Sequence, residues 1–221
     1  MGKVCDDVVQ RLWRGQDPFA GFPRRLYEVD LQGWGDNHVW LVELIDEVRP
    51  RVALEMGVWK GASVVRMATR MQELQIDGVV IAVDTWLGST EHWINDREDL
   101  AIEGGRPALQ RKFMNNVVAR GLTDYVVPLP LDSLNAAHLL ARVGIGLDLM
   151  HLDGGHDHAV VSADLQAWWP LIRPGGVLLG DDYYPDGAWP GVKRAFDEFF
   201  GPSPPGFREF SGKCRITKPL T

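Results

Sequence analysis

DLMHLDGGHDHAVVSADLQAWWPLIRPGGVLLGDDYY, residues Asp148–Tyr184, reads as strand, loop, helix, turn and strand. Its apolar runs LDLMHLD and VLLGDDYY are short and bounded by Gly or Pro, as strands buried on both faces of a parallel sheet are. One run ends on Asp153, the other on the adjacent pair Asp181 and Asp182. The helix between them starts near His158 and closes at Arg173-Pro174-Gly175-Gly176, so the strands run parallel and their carboxyl ends emerge at one edge. In open α/β sheets ligands bind at that edge. Three carboxylates meeting there repel one another unless a cation or a proton neutralises them. With His156 in the same loops, they mark a functional cluster.

Upstream the same grammar repeats. Arg51–Glu55 is a strand, Met56–Gly61 a glycine turn, and residues 62–75 a helix, which is the opening of a nucleotide-type βαβ unit. The spacing Glu-x-Gly-x-x-x-Gly is not the dinucleotide G-x-G-x-x-G and counts against NAD or FAD. Val79–Asp84 is the second strand, again ending in an acid, here suited to a ribose diol. The polar stretch Thr85–Ala108, with Trp86, His92 and Trp93, is longer than a usual βα loop and reads as a lid. A helix over 109–120 and a strand over 124–129 follow. Asp132 or Ser133 then caps a helix running toward Arg142, or one of the two contacts an adenine.

Further out, residues 6–14 form an amphipathic helix, and the Pro/Gly-punctuated stretch 17–37 covers a substrate mouth. Asn37 caps a helix to Val48; together residues 1–50 make an N-terminal cap. Beyond Tyr184, a helix over 192–200, a turn at 202–205 and a hairpin around Ser211-Gly212 close the chain. The expectation is a single α/β domain over 1–221: a Rossmann-like, mostly parallel seven-stranded sheet with a C-terminal antiparallel hairpin and helices on both faces.

The chain has 221 residues, 45% of them hydrophobic, and a net charge of -7. No Lys/Arg stripe stands out, so a nucleic-acid partner is not expected. Cys5 and Cys214 lack metal-ligand spacing and read as reduced thiols. Neither a signal peptide nor a membrane-length apolar run is visible, which points to a cytoplasmic protein without a membrane partner. The N-terminal helix and the lid suggest a homo-oligomer.

These motifs together, LEMGVWKGAS, AVDTW, LDS and HLDGGH…DL…LIRPGGVLLGDDY over Val52–Tyr184, resemble the class I S-adenosylmethionine-dependent methyltransferases. Within them the chain resembles the metal-dependent macrocin- and mycinamicin-type sugar O-methyltransferases, with cephalosporin-hydroxylase-like proteins as neighbours. The resemblance implies that Glu55, Gly57 and Gly61 line the methionine and ribose of S-adenosylmethionine, with Thr85 and Trp86 beside Asp84, which holds the ribose hydroxyls. Asp132 and Ser133 would sit near the adenine. Asp153, Asp181 and Asp182 match the family's metal-binding acids, for Mg2+ or another divalent cation. His156 matches the position of the family's base, with Asp153 as its catalytic partner and His158 as the other candidate; this chain reads Asp-Gly-Gly-His where macrocin-type relatives read Asp-Gly-Asp.

The expected activity is therefore O-methylation of a small-molecule hydroxyl acceptor, a sugar or glycosylated compound, with Trp34, Trp86, Trp93 and Trp189 available to stack on it. The alternatives are a catechol-like phenol as acceptor, a cephalosporin-hydroxylase-like role, a noncatalytic adenosylmethionine-binding protein, and a nicotinamide-dependent oxidoreductase.

Overall fold

A computed structural model describes residues 2–34, 37–95, 99–184, 186–201 and 204–220. The strands of the main sheet are β1 (Val52–Met56), β2 (Val79–Val83), β5 (Val126–Leu129), β6 (Leu147–Leu152), β7 (Ile172–Gly180), β8 (Arg208–Phe210) and β9 (Lys213–Thr217). They lie in the order β5-β2-β1-β6-β7-β9-β8. All neighbours pair parallel except β7 with β9 and β9 with β8. Numbered along the chain, that order is 3-2-1-4-5-7-6, so the winding reverses between β1 and β6. The carboxyl ends of those two strands are thus the switch point at which doubly wound sheets bind ligands.

Every residue of β1, β2 and β5 is buried, as in strands covered on both sides, with Glu55 of β1 the one polar residue among them. Alternate residues face opposite layers. Leu54, Ile81 and Met150 pack with α1 (Lys3–Trp13), α6 (Ser133–Val143), α7 (His158–Trp168) and α8 (Pro190–Phe200). Ala53, Val80 and Leu149 pack with α2 (Trp40–Val48), α3 (Ala62–Glu73) and α5 (Leu109–Ala119). Among the described residues no helix is long and apolar enough to cross a membrane.

Three local expectations change. Asn37 does not cap α2: the helix begins at Trp40, whose N–H donates to Nδ1 of His38 at 3.2 Å, so the histidine supplies the acceptor. The helix α7 stops at Trp168 and passes through a 3-10 turn, Trp169–Leu171, because Pro170 brings no N–H to continue it. Arg173–Gly176, expected as the turn closing the helix, belongs instead to β7. Leu147 pairs with Ile172 but Leu149 with Val177, so the Pro-Gly-Gly segment bulges out of the ladder, with Gly175 at φ +79°. In the 85–108 stretch, α4 (Thr90–Ile94) and the two-strand ladder of β3 (Ile102–Glu103) and β4 (Arg106–Pro107) give local order; residues 96–98 of that lid, and 202–203 of the expected turn, lie outside the described residues. The β8–β9 hairpin turns on Ser211 (φ 49°) and Gly212 (φ 82°), the positive-φ pair of a type I′ turn.

Candidate functional site

A cavity of about 1010 Å³ opens over the carboxyl ends of β1, β2, β6 and β7. That lies at the upper end for sites holding one drug-sized molecule, leaving room for a cofactor beside an acceptor. Its first half is a backbone device. Gly57 has φ +88°, and a Cβ there would come within 1.7 Å of the Asp153 carbonyl oxygen; at Gly61 (φ +86°) it would meet Phe113 at 2.5 Å. Only glycine lets the first turn press this closely on the loop after β6. Asp84 clamps the turn. Its Oδ2 accepts from the N–H groups of Val58 (2.8 Å) and Trp59 (2.9 Å), and its Oδ1 from that of Trp86 (2.7 Å).

Asp132 caps α6, accepting from the Asn135 N–H at 3.1 Å, and its carboxyl is held below the usual range by the Asn135 side chain and backbone. Ser133 donates to Asp164 Oδ1 at 2.5 Å and accepts from Trp168 Nε1 at 2.8 Å. Burial pushes the Asp164 carboxyl up to about 6. Both Asp132 and Ser133 still border the cavity, as do Glu55, Gly57, Asp84 and Thr85. Trp86 does not: it is buried, stacked on Phe113 at 5.0 Å, and serves the core. Gly61, too, sets the shape of the turn rather than the cavity wall.

The second half is a charge device. Ladder hydrogen bonds run from β1 through β6 to β7, Asp153 N–H to Met56 O at 2.9 Å and Asp181 N–H to Leu152 O at 3.0 Å, and set the acidic loops in register. One donor atom each from Asp153, His156 and Asp182 lie within 4.8 Å of one another, and His156 Nε2 is 2.9 Å from Asp182 Oδ2. Two carboxylates and an imidazole at this separation are donors a divalent cation can use. Burial, and then the nearby charge of Asp181, raise the Asp153 carboxyl well above its ordinary range. Asp181 has a partner of its own: Lys213, 1% exposed at its side chain, forms a salt bridge with Asp181 Oδ2. All three expected acids border the same cavity, Asp181 with its Oδ2 paired to Lys213. His158 is not at the centre, lying 2.7 Å from Glu198 of α8.

A protein-family model described as a methyltransferase domain matches residues 54–183. The chain belongs to this methyltransferase domain family. No curated protein matches it. Among solved structures, the methyltransferase resembles TomG, an O-methyltransferase from Streptomyces achromogenes solved with SAM (16% identity, TM-score 0.60, covering 99% of this chain and 91% of that one). It also resembles the calicheamicin methyltransferase CalS11 (19%, TM-score 0.58, 80% and 77%) and the O-methyltransferase NovP (19%, TM-score 0.58, 81% and 76%). At these identities the likeness establishes the fold.

Sequence reasoning passed over two groups of this methyltransferase that the fold brings to the cavity, His151 and Lys213, whereas Glu55 was expected there. Beneath its floor lie His151, fully buried, and Lys213; Glu55 is 2% exposed. His151 Nε2 is 3.1 Å from Lys213 Nζ, and burial, then the Lys213 charge, push His151 down to about 3, so it is neutral and accepts from the ammonium. Its Nδ1 lies 3.5 Å from Glu55 Oε1, outside hydrogen-bonding geometry, and Glu55 Oε2 has no partner. Burial raises the Glu55 carboxyl well above its usual range. The one available signal for His151 was a polar residue inside an apolar strand, LDLMHLD. At the rim, Trp59 stacks on His92 at 4.3 Å with Trp34 5.8 Å away, and Trp189 stacks on His156 at 4.4 Å. Of the four tryptophans expected at the acceptor, Trp34 and Trp189 border the cavity; Trp93 does not, and donates from Nε1 to Leu87 O at 2.9 Å.

Proposed function

We propose that this methyltransferase is an S-adenosylmethionine-dependent O-methyltransferase acting on a hydroxyl of a sugar or glycosylated small molecule, with a divalent cation held by Asp153 and Asp182 and His156 as the base. The observation that carries the reading is a single cavity in which the Gly57–Asp84 turn faces the Asp153–His156–Asp182 group. S-adenosylmethionine supplies a methyl group on a sulfonium, and a divalent cation such as magnesium supplies a charge that lowers the pKa of a nearby hydroxyl.

The chain's own residues do the rest. The Gly57 turn lets the cofactor approach the backbone and the start of α3, while Asp84, near its outer edge, keeps that turn in place. His156, its Nε2 2.9 Å from Asp182 Oδ2, would take the acceptor's proton as the oxygen's lone pair enters the new C–O bond and the methyl's C–S bond breaks to release a neutral thioether. Asp182 orients the ring, and Trp189 stacks on its face at 4.4 Å. Trp34 and Trp59 offer faces on which a sugar ring can stack. The sugar reading is supported by CalS11, described as a TDP-rhamnose 3'-O-methyltransferase. The parallel Trp59–His92 and His156–Trp189 stacks favour a planar phenol as the second acceptor class.

The test is calorimetric titration of S-adenosylmethionine into metal-stripped protein, repeated with magnesium, followed by transfer of labelled methyl to panels of sugars and catechols. Cofactor binding with label in the sugar panel is the expected result. Label only in catechols moves the acceptor class, and absence of cofactor binding under every condition ends the methyltransferase mechanism.

A further inference from the structure

We propose that Lys213 is a positioning residue that takes Asp181 for itself, leaving a divalent-cation site of two carboxylates, Asp153 and Asp182, instead of three. The inference rests on the cation site of the proposed function and concerns how this chain builds it.

The pairing is set by the sheet. Gly180 of β7 faces Cys214 of β9 in antiparallel register, so the next pair outward brings Asp181 opposite Lys213 with both side chains on one face. Lys213 comes from the first residue after the type I′ turn, and nothing in the hairpin lets it reach water: its side chain is 1% exposed, and that of Asp181 13%. Both oxygens of Asp181 have partners. Oδ2 takes the Lys213 ammonium and Oδ1 accepts the Asp182 N–H at 2.8 Å. The Asp153 carboxylate, in contrast, has no hydrogen-bond partner among the described residues, and Asp182 meets only the His156 ring through its side chain.

Charge leads to the same division. A buried ammonium is held by its carboxylate, because separating them leaves two uncompensated charges out of water. His151 at 3.1 Å gives Lys213 a neutral second acceptor and no competing charge. With Asp181 balanced by Lys213, Asp153 and Asp182 together carry the charge that one divalent ion neutralises. A third free carboxylate would bind the ion more tightly, as affinity follows ligand charge and count. Lys213 therefore weakens the site and keeps Asp181 from turning into it.

The experiment measures Mn2+ binding by electron paramagnetic resonance on the full chain, with S-adenosylmethionine binding and thermal unfolding followed in parallel. Lys213→Met, which frees Asp181, is expected to tighten Mn2+ by tenfold or more, a gain that structural damage does not produce. The paired variant Asp181→Asn with Lys213→Met removes both charges together and is expected to stay within threefold of the parent, while Asp153→Asn loses at least tenfold. Should Lys213→Met fail to fold, the paired variant decides alone. A tenfold loss in the paired variant makes Asp181 a ligand and overturns the proposal, as does Lys213→Met without tightening. Absence of Mn2+ binding in the parent, with cofactor binding intact, overturns this inference and the cation part of the proposed function but leaves the methyltransferase assignment standing.

Discussion

Asp84 and Asp153 follow the strands on either side of β1 at the same sheet edge, yet they are held in opposite ways. Asp84 accepts three backbone N–H groups, so its charge is spread over a rigid turn. Asp153 accepts no hydrogen bond among the described residues and faces Asp181, Glu55 and Asp182, with Lys213 as the nearby cation. A carboxylate satisfied by the backbone shapes a site, whereas carboxylates that face one another have charge left over for a ligand. The β1–β2 half of the cavity is therefore a mould and the β6–β7 half an electrostatic trap.

The strongest way to break that contrast is to spoil the mould. Gly57→Ala would drive a Cβ to 1.7 Å from the Asp153 carbonyl oxygen at a positive φ, joining both halves in one clash. A loss of roughly 4 kcal/mol or more of stability is expected, in the range of the most damaging single changes; chemical denaturation reads it, and a loss under ~1 kcal/mol would mean that the two loops are not in contact. Next in size is His156→Ala, for which methyl transfer should fall by ~10²–10⁴ while cofactor affinity holds, as for loss of a general base. Single-turnover kinetics measure it, and a change of less than threefold removes His156 from the proton path.

Asp84→Asn tests the mould without a steric clash. The amide nitrogen has no lone pair for the turn's N–H groups, so about 1–3 kcal/mol of stability should go with the lost acceptor, and S-adenosylmethionine affinity with it. Unchanged affinity would detach Asp84 from the cofactor. The smallest effect lies away from both halves, at Asp164. Its carboxyl is raised to about 6 against an ordinary 3.8, so the folded state keeps its proton longer than the unfolded chain does. Below pH ~4 both states are protonated; as pH climbs toward ~6 the unfolded chain ionises first, and stability from this group is lost. Asp164→Asn should therefore match the parent at low pH and exceed it at pH 8 by on the order of 2 kcal/mol, as seen in thermal unfolding at the two pH values. A gain that is equal at both would assign it to packing.

Much of the molecule was legible before any coordinates. Apolar runs such as VVIAV and VVPL are fully buried strands because no polar face interrupts them, and the alternation of runs with helices requires a parallel sheet. The glycines at 57 and 61 and the acids at 84, 153, 181 and 182 were visible as residues that strand ends and tight turns call for. Helix boundaries were less legible: His38 in place of Asn37 as the acceptor at α2, and the early stop of α7 at Pro170, depend on which side chain or missing N–H meets the helix end.

Local pattern alone determined the strands, their order of use and the edge at which the acids gather, because hydrophobic period and turn chemistry act over a few residues. The partners of those acids were decided only by tertiary structure. Lys213 meets Asp181 from 32 residues away because the terminal hairpin folds back on β7, and Trp86 joins Phe113 in the core because α5 crosses beneath it. A buried charge's partner is chosen by strand register and by exclusion of water, and both arise only when distant segments pack.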